Sequence, residues 1–240
     1  MFGARVVLKR GNKDEGEKPF WISFADLMSA LMVLFLVVMA VALLAVTKSV
    51  SEAERRKAQR ESDIAELLNQ VQQAADRYPG VSVDKDRYII DFGDRARFDT
   101  AKSNLTAEQA KLLRAFVPDV LAIARNELGR KWLKLIVVEG FTDTRGSYLL
   151  NLNLSLDRSQ RVLCVLLAPP LPDERPLTSD ELEQIRELFL VGGYSYNSSK
   201  PSLDESRRIE LRLEFLSLDE ARPSTENIPR GDFGTCALRP

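Results

Sequence analysis

The chain reads as an α+β protein: one N-terminal transmembrane helix and a helical stalk, then a βαβαββ domain. Three features carry that reading. An uncharged apolar run occupies residues 27–46. A charged stretch without Gly or Pro follows over residues 48–77. From about residue 84 short β-like runs alternate with longer segments of helical spacing. The expected divisions are an N-terminal segment 1–19, a membrane helix 20–47, a stalk 48–80, the domain 81–217 and a tail 218–240.

The run 27–46 would rise about 30 Å as a helix, the thickness of the hydrocarbon layer. Pro19 suits a first helical turn, and Trp21 suits a membrane interface. A cleaved signal peptide has a shorter apolar region of about 7–15 residues, so an anchor is the better reading. Charge leaves the orientation open. Arg5, Lys9, Arg10, Lys13 and Lys18 precede the span, and Lys48, Arg55, Arg56, Lys57 and Arg60 follow it.

Asp26 sits within this apolar setting. A carboxylate there costs about 2.5–3.5 kcal/mol on insertion scales, and acids inside membranes default to function. An ion or proton carrier facing a partner helix is one reading. An interfacial Asp reaching headgroups is the other, although Asp is too short to snorkel as Lys does. Ser23 and Ser29 lie three residues to either side and share its helical face. They either line an ion path or pack as small residues between helices.

In the stalk, Ile64, Leu67, Leu68, Val71, Ala75 and Tyr78 form a narrow apolar stripe suited to a stalk or a dimer seam. Glu54, Arg55, Arg56, Lys57 and Arg60 read as a solvated face or a juxtamembrane lipid contact. Tyr78, Pro79 and Gly80 end the helix.

In the domain, residues 87–92 read as a strand. Thr106 and Gln109 form a capping box that opens a helix running to about Leu128, kinked at Pro118. Residues 133–141 are a buried strand, 154–167 and 178–188 are helices, and 189–191 and 208–215 are strands. Residues 218–240 read as a flexible tail.

Composition excludes much. Lys+Arg of 34 against Asp+Glu of 35 argues against nucleic-acid binding. The absence of His removes His-based triads, metal sites and proton shuttles. No metal, cofactor or catalytic residue is anticipated, and Asp91, Asp94 and Asp99 read as loop solvation rather than a hydrolytic pair. The chain is therefore not expected to be an enzyme.

The stretch 139–162, EGFTDTRGSYLLNLNLSLDRSQRV, holds the most chemistry. Asp143 follows a strand and Arg158 lies on the next helix, so both can reach one pocket. An Asp that accepts an ammonium and an Arg that grips a carboxylate suit a zwitterionic, amino-acid-like ligand. An internal Asp143–Arg158 salt bridge without a ligand fits the spacing equally.

Gly140, Thr142, Asp143, Gly146, Asn151, Leu154, Ser155, Arg158 and Val162 resemble the pattern of the OmpA-like peptidoglycan-binding family. Phe98-Asp99 and 105–108 upstream, and Gly193-Tyr194, Pro201 and 207–210 downstream, extend the likeness over about half the chain. The resemblance implies that Asp143 and Arg158 bind the diaminopimelate of the stem peptide. Thr142, Asn151, Leu154 and Ser155 would shape the pocket, with Phe141 at its edge in place of the usual His. The segment FWISFADLMSALMVLFLV resembles the membrane helix of the flagellar stator B subunit (MotB), whose ion-carrying Asp falls on Asp26. This implies an inner-membrane protein with a cytoplasmic N-terminus, a periplasmic wall-binding domain, and two B chains within a ring of five MotA-like A chains.

The wording FWISFADLM before a charged stalk resembles the Zorya anti-phage branch of that superfamily more than the flagellar one. It implies a proton-driven rotary motor used in defence. A flagellar stator subunit and a passive wall tether are the alternatives. In a periplasmic setting Cys164 and Cys236 could pair and staple the tail to the domain; otherwise Cys164 is a buried free thiol.

Overall fold

The computed structural model describes residues 18–170, 174–222, 231–236 and 238. The anticipated N-terminal segment, up to residue 17, and part of the anticipated tail lie outside them. The chain divides into two compact units, Met1–Arg56 and Lys57–Pro240. One helix, α1 (Lys18–Ala75), contributes to both.

In the first unit every described side chain from Trp21 to Arg56 is exposed. An 18-residue window of α1 reaches a mean hydropathy of 3.0, with none of it buried. By length and composition this helix can cross a membrane. Residues without Gly, Pro or a helix-stopping cap run from the apolar span into the charged stretch, so nothing local ends the helix there.

The second unit is built on a five-stranded sheet. Its strands are β1 (Ser82–Asp84), β2 (Ile89–Asp91), β3 (Leu133–Gly140), β4 (Phe189–Gly193) and β5 (Ile209–Phe215). Their order is β1-β2-β5-β3-β4, antiparallel except for the β3–β4 pair. The β3–β4 crossover holds α4 (Tyr148–Leu167) and α5 (Ser179–Leu188), as a parallel pair requires. Ahead of it come α2 (Ala107–Arg125) and α3 (Glu127–Trp132); α6 (Leu203–Ser206) precedes β5.

Alternation along the strands separates two faces. Ile136 and Val138 of β3 and Ile209, Leu211 and Leu213 of β5 join the core with α2, α4 and α5. The opposite face carries Glu139, Glu210 and Asp91 in one cross-strand row. Arg212 donates to Glu139 at 2.6 and 2.9 Å, Arg208 to Glu210 at 2.7 Å and Lys200 to Asp91 at 3.0 Å. Like charges placed side by side are tolerated because each has its own cation.

The apolar stripe has a different partner from the one anticipated. Ile64, Leu67, Leu68, Val71 and Ala75 are buried in this unit's own core, together with Ala74. Arg60 Nε donates to the Leu216 carbonyl at 2.8 Å, and Asp63 accepts from Lys131 and from the Trp132 indole, each at 2.8 Å. Residues 64–75 are thus a layer of the domain rather than a free stalk or seam.

Other boundaries moved for local reasons. The capping box of Thr106 and Gln109 opens α2, which holds Pro118 inside it. The helix ends at Arg125 because Asn126 turns extended and caps α3, its Oδ1 accepting from Gly129 N at 2.7 Å. Helix α4 begins at Tyr148, where Ser147 caps it. The described tail is fastened rather than free. Arg222 donates to the Arg130 carbonyl at 2.9 Å, and Gly231 N to Glu183 at 2.8 Å. The sulfurs of Cys164 and Cys236 stand at bonding distance, with Cα atoms 5.3 Å apart.

Candidate functional site

The site forms where β3 stops and α4 begins. Gly140 ends β3 against the helix: a Cβ there would lie 1.9 Å from the Ser155 carbonyl oxygen. On β4, a Cβ at Gly193 would lie 2.9 Å from Leu156 N. Two glycines therefore let α4 ride directly on the strand ends. That close approach brings the helix residue Arg158 to the loop residue Asp143.

The loop is held by short-range bonds. Asp143 Oδ1 accepts from Arg145 N at 3.0 Å, which tightens the turn. Gly146 takes φ of +95°, a left-handed conformation that favours glycine. Asn151 reaches back, its Nδ2 donating to the Arg145 carbonyl at 2.8 Å and the Ser147 carbonyl at 3.2 Å.

Arg158 is fully buried. Its Nε donates to the Lys102 carbonyl at 2.9 Å, Nη1 to Phe141 at 2.7 Å and Nη2 to Asp99 at 3.1 Å. The guanidinium also lies 4.8 Å from the Phe98 ring centroid. Burial, helped by the nearby Arg207, pulls its pKa down to about 10, still well above neutrality. The fork is thus fixed by neutral carbonyls and remains a buried cation.

Asp143 does not pair with Arg158. It accepts instead from Arg145 Nη2 at 2.6 Å and Arg207 Nη1 at 3.0 Å. Burial pushes its carboxyl up, but the bonds from Arg145 and Arg207 outweigh this and hold it at about 2. The internal Asp143–Arg158 bridge that the spacing allowed is therefore not formed. Its two members are separately fixed, and both line one cleft of about 340 Å³.

Thr142, Asn151 and Leu154 line that cleft too, and the buried Thr142 hydroxyl has no hydrogen-bond partner among the described residues. Ser155 and Phe141 take other places. Ser155 Oγ donates to the Leu152 carbonyl at 2.8 Å and accepts from Ser195 N at 2.9 Å, which fixes the chain leaving β4. The Phe141 ring stacks on Tyr194 and lies 4.1 Å from the Arg208 guanidinium; its carbonyl, not its ring, serves the site. Sequence reasoning passed over Arg145, Arg207, Thr100 and Asp157, all cleft-lining. Two were legible as residues within TDTRG and RRIE, but the carboxylate they share was not. Three guanidiniums and two carboxylates line the cleft, and a third carboxylate, Asp204, pairs with Arg207.

In the first unit, Asp26 is exposed on α1. The Ser29 hydroxyl donates to the Ala25 carbonyl at 2.8 Å, one turn back, and is not directed at Asp26. Ser23 is exposed.

Comparison with known proteins adds to this geometry. Over 229 residues the chain is 45% identical to the Zorya protein ZorB of Escherichia coli O139:H28 (strain E24377A / ETEC), covering 95% of this chain and 93% of that one. The chain belongs to the ZorB family. Residues 8–54 of this ZorB-family chain match the MotB plug model, described as membrane MotB of the proton-channel complex MotA/MotB. Among solved structures, a putative MotB-like protein from Desulfovibrio vulgaris is 16% identical, with a TM-score of 0.42 over 66% of this chain and 98% of that one. The periplasmic domain of Helicobacter pylori MotB is 17% identical, with a TM-score of 0.37 over 55% and 75%. The cell wall anchor of the type VI secretion system from Pseudomonas aeruginosa is 19% identical, with a TM-score of 0.39 over 61% and 96%. None of these relatives is described as an enzyme.

Proposed function

We propose that this ZorB-family chain is the wall-anchored subunit of a proton-driven rotary motor in the inner membrane, used in Zorya anti-phage defence. The kinship with ZorB over nearly the whole chain carries the reading. The apolar helix with one internal acid supports it from the first unit, and the Asp143–Arg158 cleft from the second. On this reading the N-terminus is cytoplasmic and the sheet domain periplasmic, where peptidoglycan lies. Two copies of the chain stand within five MotA-like subunits.

Asp26 takes up and releases the proton as it meets the partner helices, with Ser23 and Ser29 on the same face. The cleft holds the stem peptide of the wall. Arg158 keeps a charge that no internal carboxylate neutralises directly, which suits a ligand carboxylate. Asp143, ionised near neutral pH, suits a ligand ammonium. Thr142, Asn151 and Leu154 shape the walls, while Ser155 positions the helix. The Cys164–Cys236 bond clasps the tail.

The test is Asp26→Asn, expressed in cells with the neighbouring A subunit and checked for membrane insertion. The expected outcome is normal protein level with lost phage protection. Loss of swimming alone would move the assignment to a flagellar stator. No change in either would leave a passive tether.

A further inference from the structure

The Asp143 carboxylate, the natural place for a ligand's ammonium, is already occupied. Its Oδ1 accepts from Arg145 N at 3.0 Å. Its Oδ2 accepts from Arg145 Nε at 3.2 Å, Arg145 Nη2 at 2.6 Å and Arg207 Nη1 at 3.0 Å. Three donors crowd Oδ2, which has about two acceptor positions, so an ammonium gains that oxygen only by displacing one of them.

The two guanidiniums are held very differently. Arg207 has a side chain only 11% exposed, donates through Nε to the Phe98 carbonyl at 2.8 Å, and also pairs with Asp204. It is part of the wall. Arg145 has a side chain 52% exposed, on the loop just past β3. Apart from Asp143, its guanidinium reaches the Thr100 hydroxyl at 3.0 Å. It lines the cleft and its tip can turn to water without breaking the fold.

We propose that Arg145 is a latch on this cleft: its guanidinium fills the cation position on Asp143, and the ammonium of a zwitterionic ligand binds by displacing it. The inference rests on the stem-peptide reading of the site. The exchange is one cation for another, so the carboxylate keeps its charge partner throughout. The Arg145 backbone N–H stays on Oδ1, so the loop turn survives when the side chain leaves. The guanidinium end of the pair meets water while the carboxylate is nearly buried, so the latch is open in only a fraction of molecules. Apparent affinity is lowered by that fraction. A ligand without a free amine has nothing to put in place of the guanidinium, so the latch also selects for the amine.

The experiment uses the full chain in detergent, with isolated sacculi in co-sedimentation and meso-diaminopimelate in calorimetric titration. Arg145→Gln and Arg145→Ala, each with an unchanged melting temperature, should bind about three- to tenfold more tightly than wild type. Adding Asp143→Asn to either should remove the gain. Equal or weaker binding by both Arg145 variants, with wild type binding, would overturn the latch and leave the stem-peptide reading standing. Failure of wild type and both variants to bind sacculi and diaminopimelate would overturn that reading, and the latch with it.

Discussion

Removing Arg158 should break the domain before it tests the ligand. Arg158→Ala deletes a fully buried guanidinium bonded to three carbonyls. The Asp99 carbonyl keeps a second donor, Lys102 N, and the Lys102 carbonyl lies near the surface. The Phe141 carbonyl is buried and loses its partner, at a cost of about 1–3 kcal/mol. The lost contact with the Phe98 ring adds about 1 kcal/mol, and the emptied volume adds to that. A total of about 3–5 kcal/mol follows, or roughly 10 °C in melting temperature for a domain of this size. Asp143→Asn is the matched control. Arg145 and Arg207 keep other partners, so the cost should be about 1–2 kcal/mol. Urea unfolding of the full chain in detergent, followed by Trp132 fluorescence in a Trp21→Phe background, reads both. Sacculus co-sedimentation then separates folding from binding. If Arg158→Ala unfolds at the wild-type urea midpoint, the carbonyl-held fork is not structural and the reasoning fails.

Three further outcomes are expected. The bonds from Lys131, Trp132 and Gln59 hold the Asp63 carboxyl at about 2, below its usual 3.8. Its contribution to stability is therefore present above about pH 4 and lost as pH falls through 2, so Asp63→Asn should flatten acid unfolding over that window. Cys236→Ser opens a 72-residue loop and should cost about 4 kcal/mol on the chain-entropy account, read as a melting shift that reductant reproduces in wild type. Intact mass under non-reducing conditions should fall by two hydrogens per chain; a mass with two free thiols would remove the clasp. Gly140→Ala sets a Cβ 1.9 Å from the Ser155 carbonyl oxygen and should cost about 1–3 kcal/mol or more, seen as a lower urea midpoint.

What could be read from sequence was what lies close along the chain. The Thr106/Gln109 box spans three residues and announces its helix directly. The stripe from Ile64 to Ala75 was visible as a stripe, but periodicity names a buried face and not what buries it. Strand β1 is three residues long, too short to show a period of two. The first turn of α4, Tyr148-Leu149-Leu150, is apolar yet exposed, so the amphipathic pattern registered only beyond it. At the cleft, Asp143 and Arg158 were found through the motif. Their true partners were not, because Arg207 meets Asp143 across 64 residues and the carbonyls of Asp99 and Lys102 are more than fifty residues from Arg158.

The burial of Ile64 to Ala75 also sets how this domain takes a load. The last turns of α1, inserted in the core and pinned beside Arg60 and Asp63, meet an axial pull with many contacts strained in parallel. Such an attachment yields in shear, all at once, and not by peeling one residue after another. On the proposed wall-anchor role that is the sturdier joint. It also means that a fragment cut at residue 81 would leave behind one wall of its own core, so the smallest sound piece of this domain begins near Lys57.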